Sequence, residues 1–452
     1  MKQTTINPAM NGAVNYVKEN TRPVPEEKNS GLSKIVTGVT LGNMVEWFDF
    51  AIYSSMSLIM AKVFFPEANR YNELIAVYAA FAAGFVIRPL GGFLFGPLGD
   101  KYGRRTALVT SISLMSLATL AIACIPAYHS IGIAAPILLV VMRMLQGLST
   151  GGEYGGSCIF IAEHSPDKKR TFFTSWLEFG NIAGFLVGGV IVNVIERYVG
   201  QDAMVAWGWR IPFLIAGLMG IIALFIRLKV DETPVFREMQ ANKSRLNQPS
   251  RSLWSLILRE WPQLLRSAGL VATFNINYYI VLGYIPGYLV TFLGRSQTFS
   301  ANLSLIATLL LLVFIPIFGM MGDRIGRKRM LLVGCVLMVL CAVPVFWALQ
   351  THGLPAIIIG MGVLILAMLF FEGTVPATLT SMFGTTVRYS CFAISYNLSV
   401  SLLGGTAPLI NTWLIEKTGM TLIPAFYLMS GAILGMAALW RLQDRTGQPM
   451  PS

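Results

Sequence analysis

Runs of about twenty apolar residues set the first limit on what this chain can become. Thr106–Pro126, Leu264–Leu293 and Met330–Leu349 are nearly free of charge, and as helices they are long enough to cross ~30 Å of hydrocarbon. Only 12% of the 452 residues are charged, against 54% hydrophobic, where a soluble domain carries roughly 25% charged residues. A soluble fold of this length would lack polar surface. Twelve spans can be drawn, with cores at 35–63, 73–97, 106–126, 132–162, 172–195, 208–228, 264–293, 301–321, 330–350, 354–382, 390–415 and 420–441. The expected fold is an all-α membrane protein of twelve transmembrane helices in two six-helix halves. Its parts are a tail at 1–34, one half at 35–228, a polar linker with some helix at 229–262, the other half at 263–441 and a short tail at 442–452.

The net charge of +12 does not point to nucleic acid, because of where it lies. With both termini inside, cytoplasmic segments hold 26 of the 34 Lys and Arg residues, including eight at 227–266 and Arg388. Lys62, Arg70, Arg197, Arg210, Arg295 and Lys417 fall at the outer rim. That asymmetry is the positive-inside pattern. The tail at 1–34 has no apolar signal-peptide core, so the first span serves as an uncleaved signal for the inner (cytoplasmic) membrane. Cys124, Cys158, Cys335, Cys341 and Cys391 show no ligand spacing and read as small hydrophobes. His129, His164 and His352 fall in or near loops. No nucleophile pair, metal set or cofactor motif is present, so the chain is not read as an enzyme.

The stretch from Gly96 to Arg105, GPLGDKYGRR, returns 223 positions on as GMMGDRIGRK from Gly319. Each copy is a Gly-x-x-x-Asp-basic-x-Gly-basic-basic loop between two apolar runs. Two copies at matching places indicate two related halves built on one plan.

Ionisable groups inside spans cost ~2.5–3.5 kcal/mol each on insertion scales, so each needs a reason. Five acids qualify: Glu46, Asp49, Glu153, Glu178 and Glu372. Glu163 reads as interfacial. Glu46, Asp49 and Tyr53 share one helical face, with Asn43 one turn below. Two carboxylates a turn apart in a low dielectric repel, which suits one of them to carry a proton. The alternative is a structural ion pair with Arg143 or Arg88. Arg143 needs an acid partner, with Asp49, Glu46 and Glu153 as the candidates. Glu46, Asp49, Arg143 and Glu153 are therefore the expected proton-coupling set. The candidate substrate contacts are Asn43, Trp47, Tyr53, Gln146, Glu178, Asn181, Tyr278, Tyr279, Glu372, Tyr396 and Asn397. Aromatic faces attract quaternary ammonium groups, although helix packing and interfacial belts explain many such rings.

The repeated loop resembles the signature between spans two and three, and eight and nine, of the major facilitator superfamily. Arg143-Met144-Leu145-Gln146-Gly147 is similar to that superfamily's second motif. The stretch from Gly42 to Phe50, GNMVEWFDF, resembles the span-one signature of the metabolite:H+ symporter family. Arg88-Pro89-Leu90-Gly91-Gly92 and the WGWRIPF run from Trp207 resemble that family too. Within it the chain looks most like the proline/betaine transporters, from about Leu41 through Tyr427. The resemblance implies the major facilitator fold and a gate held by the loop residues Gly96, Asp100, Gly103, Arg104, Arg105, Asp323, Gly326 and Arg327. Some osmosensing relatives carry a C-terminal coiled coil, whereas here about ten residues without heptads follow Arg441.

Relatives in that family carry citrate, 2-oxoglutarate or shikimate as well as zwitterions. Five span acids against Arg88 and Arg143 leave surplus negative charge, which disfavours a di- or tricarboxylate. The expected function is proton-coupled uptake of proline, glycine betaine or a similar solute by alternating access, carried out by a functional monomer in the lipid bilayer. Proton-coupled uptake of an organic acid is the alternative.

Overall fold

The computed structural model describes residues 29–66, 70–246, 253–351 and 353–451. Most of the N-terminal tail, the middle of the linker and His352 lie outside the described residues. Twelve helical passes follow one another among the described residues. They are α1 (Asn29–Ser55, continued after a break at Met56 by Ser57–Phe64), α2 (Arg70–Tyr102), α3 (Arg104–Cys124), α4 (Ala134–His164), α5 (Arg170–Val199) and α6 (Arg210–Leu228). A linker helix, Pro234–Leu246, separates these from α7 (Leu253–Tyr278), α8 (Gln297–Ile325), α9 (Arg327–Gln350), α10 (Leu354–Glu372), α11 (Arg388–Ser399) and α12 (Ile423–Trp440). Eleven passes among the described residues are long and apolar enough to cross a membrane. The remaining one is α1, which is long enough but carries buried Asn43, Glu46 and Asp49. Large apolar side chains such as Val86, Leu117, Val313, Leu340 and Leu409 face outward, the surface a lipid solvent requires.

Three of the later passes are not continuous. α7 runs through a π-helical turn at Tyr279–Tyr284 into a last helix, Ile285–Thr291, and α11 through Val400–Gly404 into Ala407–Thr418. Pro286 and Pro408 lie just beyond these turns, and a proline ring clashes with the carbonyl four residues back. Widening the register relieves that clash, as when the Gly405 N–H bonds the Val400 carbonyl at 2.8 Å. α10 ends at Glu372 and resumes as Val375–Thr380 ahead of the inner loop.

Small residues let the helix backbones approach closely. A methyl group added at Gly147 of α4 would lie 2.0 Å from the Gly84 carbonyl oxygen of α2, and one at Gly151 would lie 2.4 Å from the Arg88 carbonyl oxygen. Gly180, Gly184 and Gly188 of α5 abut Thr40, Met44 and Phe48 of α1 in the same way. Between the halves, Gly96 and Gly99 of α2 meet Ser390 and Tyr389 of α11, while Gly319 and Gly322 of α8 meet Ser175 and Thr171 of α5. Both crossings lie toward the end of the bundle that carries the repeated loops. The two loops share a backbone as well as a sequence: Gly103 and Gly326 have φ of 109° and 104°, a region that residues with a Cβ rarely enter.

Gly147→Ala is expected to lower stability by about 1–3 kcal/mol through forced separation of α2 and α4. At Gly189 the nearest atom to an added methyl is the Ser55 hydroxyl, 3.9 Å away, so Gly189→Ala should be neutral or stabilising. Thermal unfolding of the two purified variants checks the contrast.

Candidate functional site

The polar face of α1 meets α2, α3 and α4 in the middle of the first half. Asp49 accepts a hydrogen bond from Arg143 Nη1 at 2.9 Å, from Gln146 Nε2 at 3.1 Å and from Thr119 Oγ1 at 3.3 Å. One turn of α4 carries Arg143 and Gln146 to the same carboxylate, so of the three candidate partners of Arg143, it is Asp49 that meets it. The guanidinium also lies 3.8 Å from the centre of the Tyr53 ring, whose hydroxyl donates to the Val77 carbonyl at 3.0 Å. Tyr53 and Gln146 thus surround the Asp49–Arg143 pair rather than joining the aromatic cluster described below.

Glu46 is held more loosely. Its nearest counter-charge is Arg88 of α2, Nη2 to Oε1 3.5 Å, and among the described residues no hydrogen-bond donor reaches either carboxylate oxygen. Arg88 is shared with the second half: its Nε donates to Asn397 Oδ1 of α11 at 3.1 Å, and its guanidinium stands 6.0 Å from the Tyr396 ring centre.

Glu153 does not meet Arg143. It forms an ion pair with Arg227, at the end of α6, and accepts from Ser111 Oγ at 2.6 Å. The expectation that Arg227 belongs to a solvated cytoplasmic segment is corrected here: it is 3% exposed and folds back under α1, α3 and α4. The long aliphatic stem of arginine allows this reach from a helix terminus. Sequence reasoning missed the pair because Arg227 sits beside Lys229 at the edge of a polar segment.

Glu178 of α5 and Glu372 of α10 are both buried at the seam between the halves, within electrostatic reach of one another. Glu178 accepts from Tyr154 Oη at 2.5 Å and from Asn181 Nδ2 at 2.6 Å, and Asn43 of α1 donates to the Asn181 side-chain oxygen. Rings enclose this pair. Tyr154 stacks on Tyr396 with centroids 4.2 Å apart, and Tyr278 meets Trp47 at 5.2 Å and Tyr279 at 5.6 Å. Tyr278 lies within electrostatic reach of Glu372 and Glu178, whereas its neighbour Tyr279 faces Arg88 and Glu46. The centre therefore has two poles, basic at Arg88 and acidic at Glu178–Glu372, with Tyr396 and the Tyr278–Tyr279 pair between them.

The end of the bundle bearing the repeated loops is closed by contacts related through the duplication. Asp100 accepts from the Tyr389 and Ser390 N–H groups at 3.1 and 2.8 Å, at the start of α11. Asp323 accepts from the Thr171 and Phe172 N–H groups, both at 2.9 Å, at the start of α5. Each loop carboxylate thus caps the N-terminus of a helix in the opposite half, where free N–H groups and the helix dipole favour negative charge. Arg104 donates to the Thr385 carbonyl at 2.6 Å, and Arg327 donates to Thr171 Oγ1 at 2.9 Å. Arg105 instead bonds the Leu228 carbonyl, while its backbone N–H meets Glu232 of the linker.

Glu163 is not interfacial. Its fully buried carboxylate accepts from Arg388 Nη1 at 2.7 Å and Thr233 Oγ1 at 2.5 Å, and lies 3.5 Å from Arg104. Arg388, counted from sequence among solvated cytoplasmic charges, is likewise buried. The short tail contributes here too: Arg388 Nη2 and Thr385 Oγ1 both donate to the Pro451 carbonyl, and Arg170 of the first half donates to the Gln448 carbonyl. Of the histidines, His129 is exposed and His164 bonds the Phe160 carbonyl. All five cysteines are free.

These features define a multi-pass membrane protein of two related six-helix halves with a charged, aromatic seam between them. A family model described as the Major Facilitator Superfamily matches residues 39–406, and the chain belongs to that superfamily. It is 40% identical over 426 residues to the proline/betaine transporter of Escherichia coli K12, covering 93% of this chain and 85% of the relative. The identity and coverage are the same against the glycine betaine/proline/ectoine/pipecolic acid transporter OusA of Dickeya dadantii. Among solved structures, the proton:xylose symporter XylE bound to 6-bromo-6-deoxy-D-glucose superposes with a TM-score of 0.78 at 18% identity. That match covers 94% of this chain and 98% of the other.

Arg227→Met, which strands Glu153 in the protein interior, should destabilise the fold by ~3–5 kcal/mol. Adding Glu153→Gln should restore much of the loss, because no uncompensated charge then remains. Melting curves of the single and double variants read the difference.

Proposed function

We propose that this chain is a proton-coupled symporter that imports a zwitterionic compatible solute, proline, glycine betaine or a similar molecule, by alternating access. The observation that carries the reading is the two-pole centre. A zwitterion presents a carboxylate and an ammonium group a few bonds apart. Arg88 with Asn397 suits the carboxylate, and the acids Glu178 and Glu372 with the faces of Tyr278, Tyr396 and Trp47 suit the ammonium. A quaternary ammonium accepts no hydrogen bond, so ring faces and carboxylates are the groups that can hold it. The activities for which the E. coli and Dickeya relatives are named support the same substrate class. A tricarboxylate would find one pole repulsive.

The basic end of the bundle, where the repeated loops and both described ends of the chain gather, is read as cytoplasmic under the positive-inside rule. The protein then lies in the inner membrane with its inner gate shut by Asp100, Asp323 and the Glu163–Arg388 pair. For coupling, Asp49 is the leading group. Its carboxylate accepts from three donors, Arg143, Gln146 and Thr119. A proton arriving from outside would weaken all three contacts at once and free Arg143 to slide over Tyr53. Glu46, without a hydrogen-bond donor and shared with Arg88, links that event to the basic pole of the solute site. Glu153, tied to Arg227, lies close enough to Glu46 to feel its charge.

The test is uptake into proteoliposomes under an imposed pH gradient, inside alkaline. Labelled proline or betaine should accumulate with the gradient, and citrate and 2-oxoglutarate should not. Asp49→Asn should lower gradient-driven accumulation by about 5–150-fold, the range of a ~1–3 kcal/mol coupling, while solute exchange without a gradient persists. Wild-type accumulation in Asp49→Asn would remove that residue from the role, and uptake of citrate in preference to betaine would reverse the substrate class.

A further inference from the structure

The WGWRIPF run from Trp207 takes no part in the solute centre, yet it stands behind the Asp49–Arg143 pair. A π-helical turn, Met204–Gly208, leads into it, and Trp209 and Phe213 are fully buried. Phe64, from the continuation of α1, meets Trp209 edge-on with ring centroids 5.2 Å apart, and Trp209 meets Phe213 at 6.3 Å. Packing on Trp209 fixes the Phe213 ring with its centre 5.8 Å from the Arg143 guanidinium, against 3.8 Å for the Tyr53 ring.

Arg143 uses few of its donors. A guanidinium carries five N–H groups and no acceptor. Nη1 bonds Asp49 at 2.9 Å, but among the described residues neither Nε nor Nη2 of this buried side chain meets a hydrogen-bond acceptor. The nearby acids are taken: Glu46 is paired with Arg88 of α2, and Glu153 of α4 with Arg227 of α6. Among the described residues the other titratable or charged neighbours are Tyr53 of α1 and Arg210 of α6, and Arg210 is turned to the Ile125 carbonyl and the Trp209 ring. From α3, Thr119 faces Asp49, and from α5, Gly184 and Gly188 face this stretch of α1. Ring faces are therefore what the rest of the guanidinium meets. Phe213 lies just inside the ~6 Å limit of cation–π attraction, so that attraction grows as the guanidinium approaches.

We propose that Phe213 is a positioning residue for proton coupling: with Tyr53 it forms an aromatic seat onto which Arg143 moves when Asp49 is protonated, and the seat thereby eases protonation of Asp49. The inference rests on Asp49 as the coupling group. An arginine keeps its charge throughout. While Asp49 is ionised, the carboxylate meets that charge. Once Asp49 is neutral, a buried guanidinium is left without its counter-ion, a costly state unless other groups take the charge up. Two ring faces do so here. The proton enters and leaves at the Asp49 carboxylate and Arg143 stays a cation, so charge balances over both steps. A ring contact that is stronger in the protonated state favours that state. Without the ring, protonation needs a higher proton concentration, and its midpoint moves to lower pH.

Exchange of labelled betaine in proteoliposomes tests the seat, at equal pH on both sides and over a series of pH values. Wild-type exchange should decline as the pH rises and Asp49 ionises, and in Asp49→Asn the decline should vanish. Phe213→Leu should move the wild-type midpoint about one pH unit toward acid, a roughly tenfold loss of proton affinity. Phe213→Tyr keeps a ring face and should leave the midpoint in place. Phe213→Met gives a second ring-free variant should the first fold poorly. An unmoved midpoint in the ring-free variants, even with exchange slowed at every pH, would overturn the seat and leave Phe213 a packing residue. An equal move in Phe213→Tyr would overturn it too. A decline that persists in Asp49→Asn would instead overturn the coupling reading on which the seat is built, so the two failures are told apart.

Discussion

A carboxylate taken out of water must find a counter-charge, a set of donors or a proton, and the seam of this protein is organised around that requirement. The cost of stranding a single charge is several kcal/mol, large against the few kcal/mol by which most membrane proteins hold one state over another. Asp49 is satisfied by a cation and two neutral donors, Glu153 by Arg227 and Ser111, and Glu163 by two arginines and a threonine. Glu46 has a more distant partner, and Glu178 and Glu372 lie within electrostatic reach of one another.

The duplication supplies the frame on which this pattern is hung. Asp100 and Asp323 perform the same act in mirror fashion, each capping a helix of the opposite half, and Gly103 and Gly326 bend both loops identically. Because helix caps, carbonyl contacts and the Glu163–Arg388 pair close the loop-bearing end, the proposed gate there could open by rigid-body separation without unfolding any helix. Symmetry stops at the acids. Glu163 ties Arg388 and Arg104 together, whereas Arg170 pairs with Asp167 three residues before it and Arg327 meets the Ala377 carbonyl and the Ser381 hydroxyl. The terminal residues partly fill that place, with the Gln448 and Pro451 carbonyls accepting from arginines of both halves.

Much of this was legible in the residues. Intramembrane charge is rare enough that Glu46, Asp49, Arg143, Glu153, Glu178 and Glu372 announce themselves, and helical spacing alone puts Glu46 and Asp49 on one face. Arg227 and Arg388 could not be found that way. Both stand at helix ends, Arg227 with Lys229 close by, where solvation is the ordinary expectation, and only the reach of a folded-back side chain reveals their burial. Glu163 was hidden for the same reason. Tyr53 and Gln146 share a helical face with several candidate sites, and which site they joined depended on the rotation of α4 against α1. The fate of the short tail was equally invisible, since its contacts are made largely through backbone carbonyls, which carry no residue-specific signal.

Sequence by itself determined the membrane class, the number and order of the passes, the duplication and the list of groups that would need compensation, because each of these follows from local composition and repeat spacing. Tertiary structure decided who compensates whom. A helix presents each side chain to a neighbour set by packing, crossing angle and rotation, and none of these is written in the spacing of residues along one chain segment. So the pairing of Arg143 with Asp49 rather than Glu153, and the approach of Glu178 to Glu372 across 194 positions of sequence, exist only in the assembled bundle.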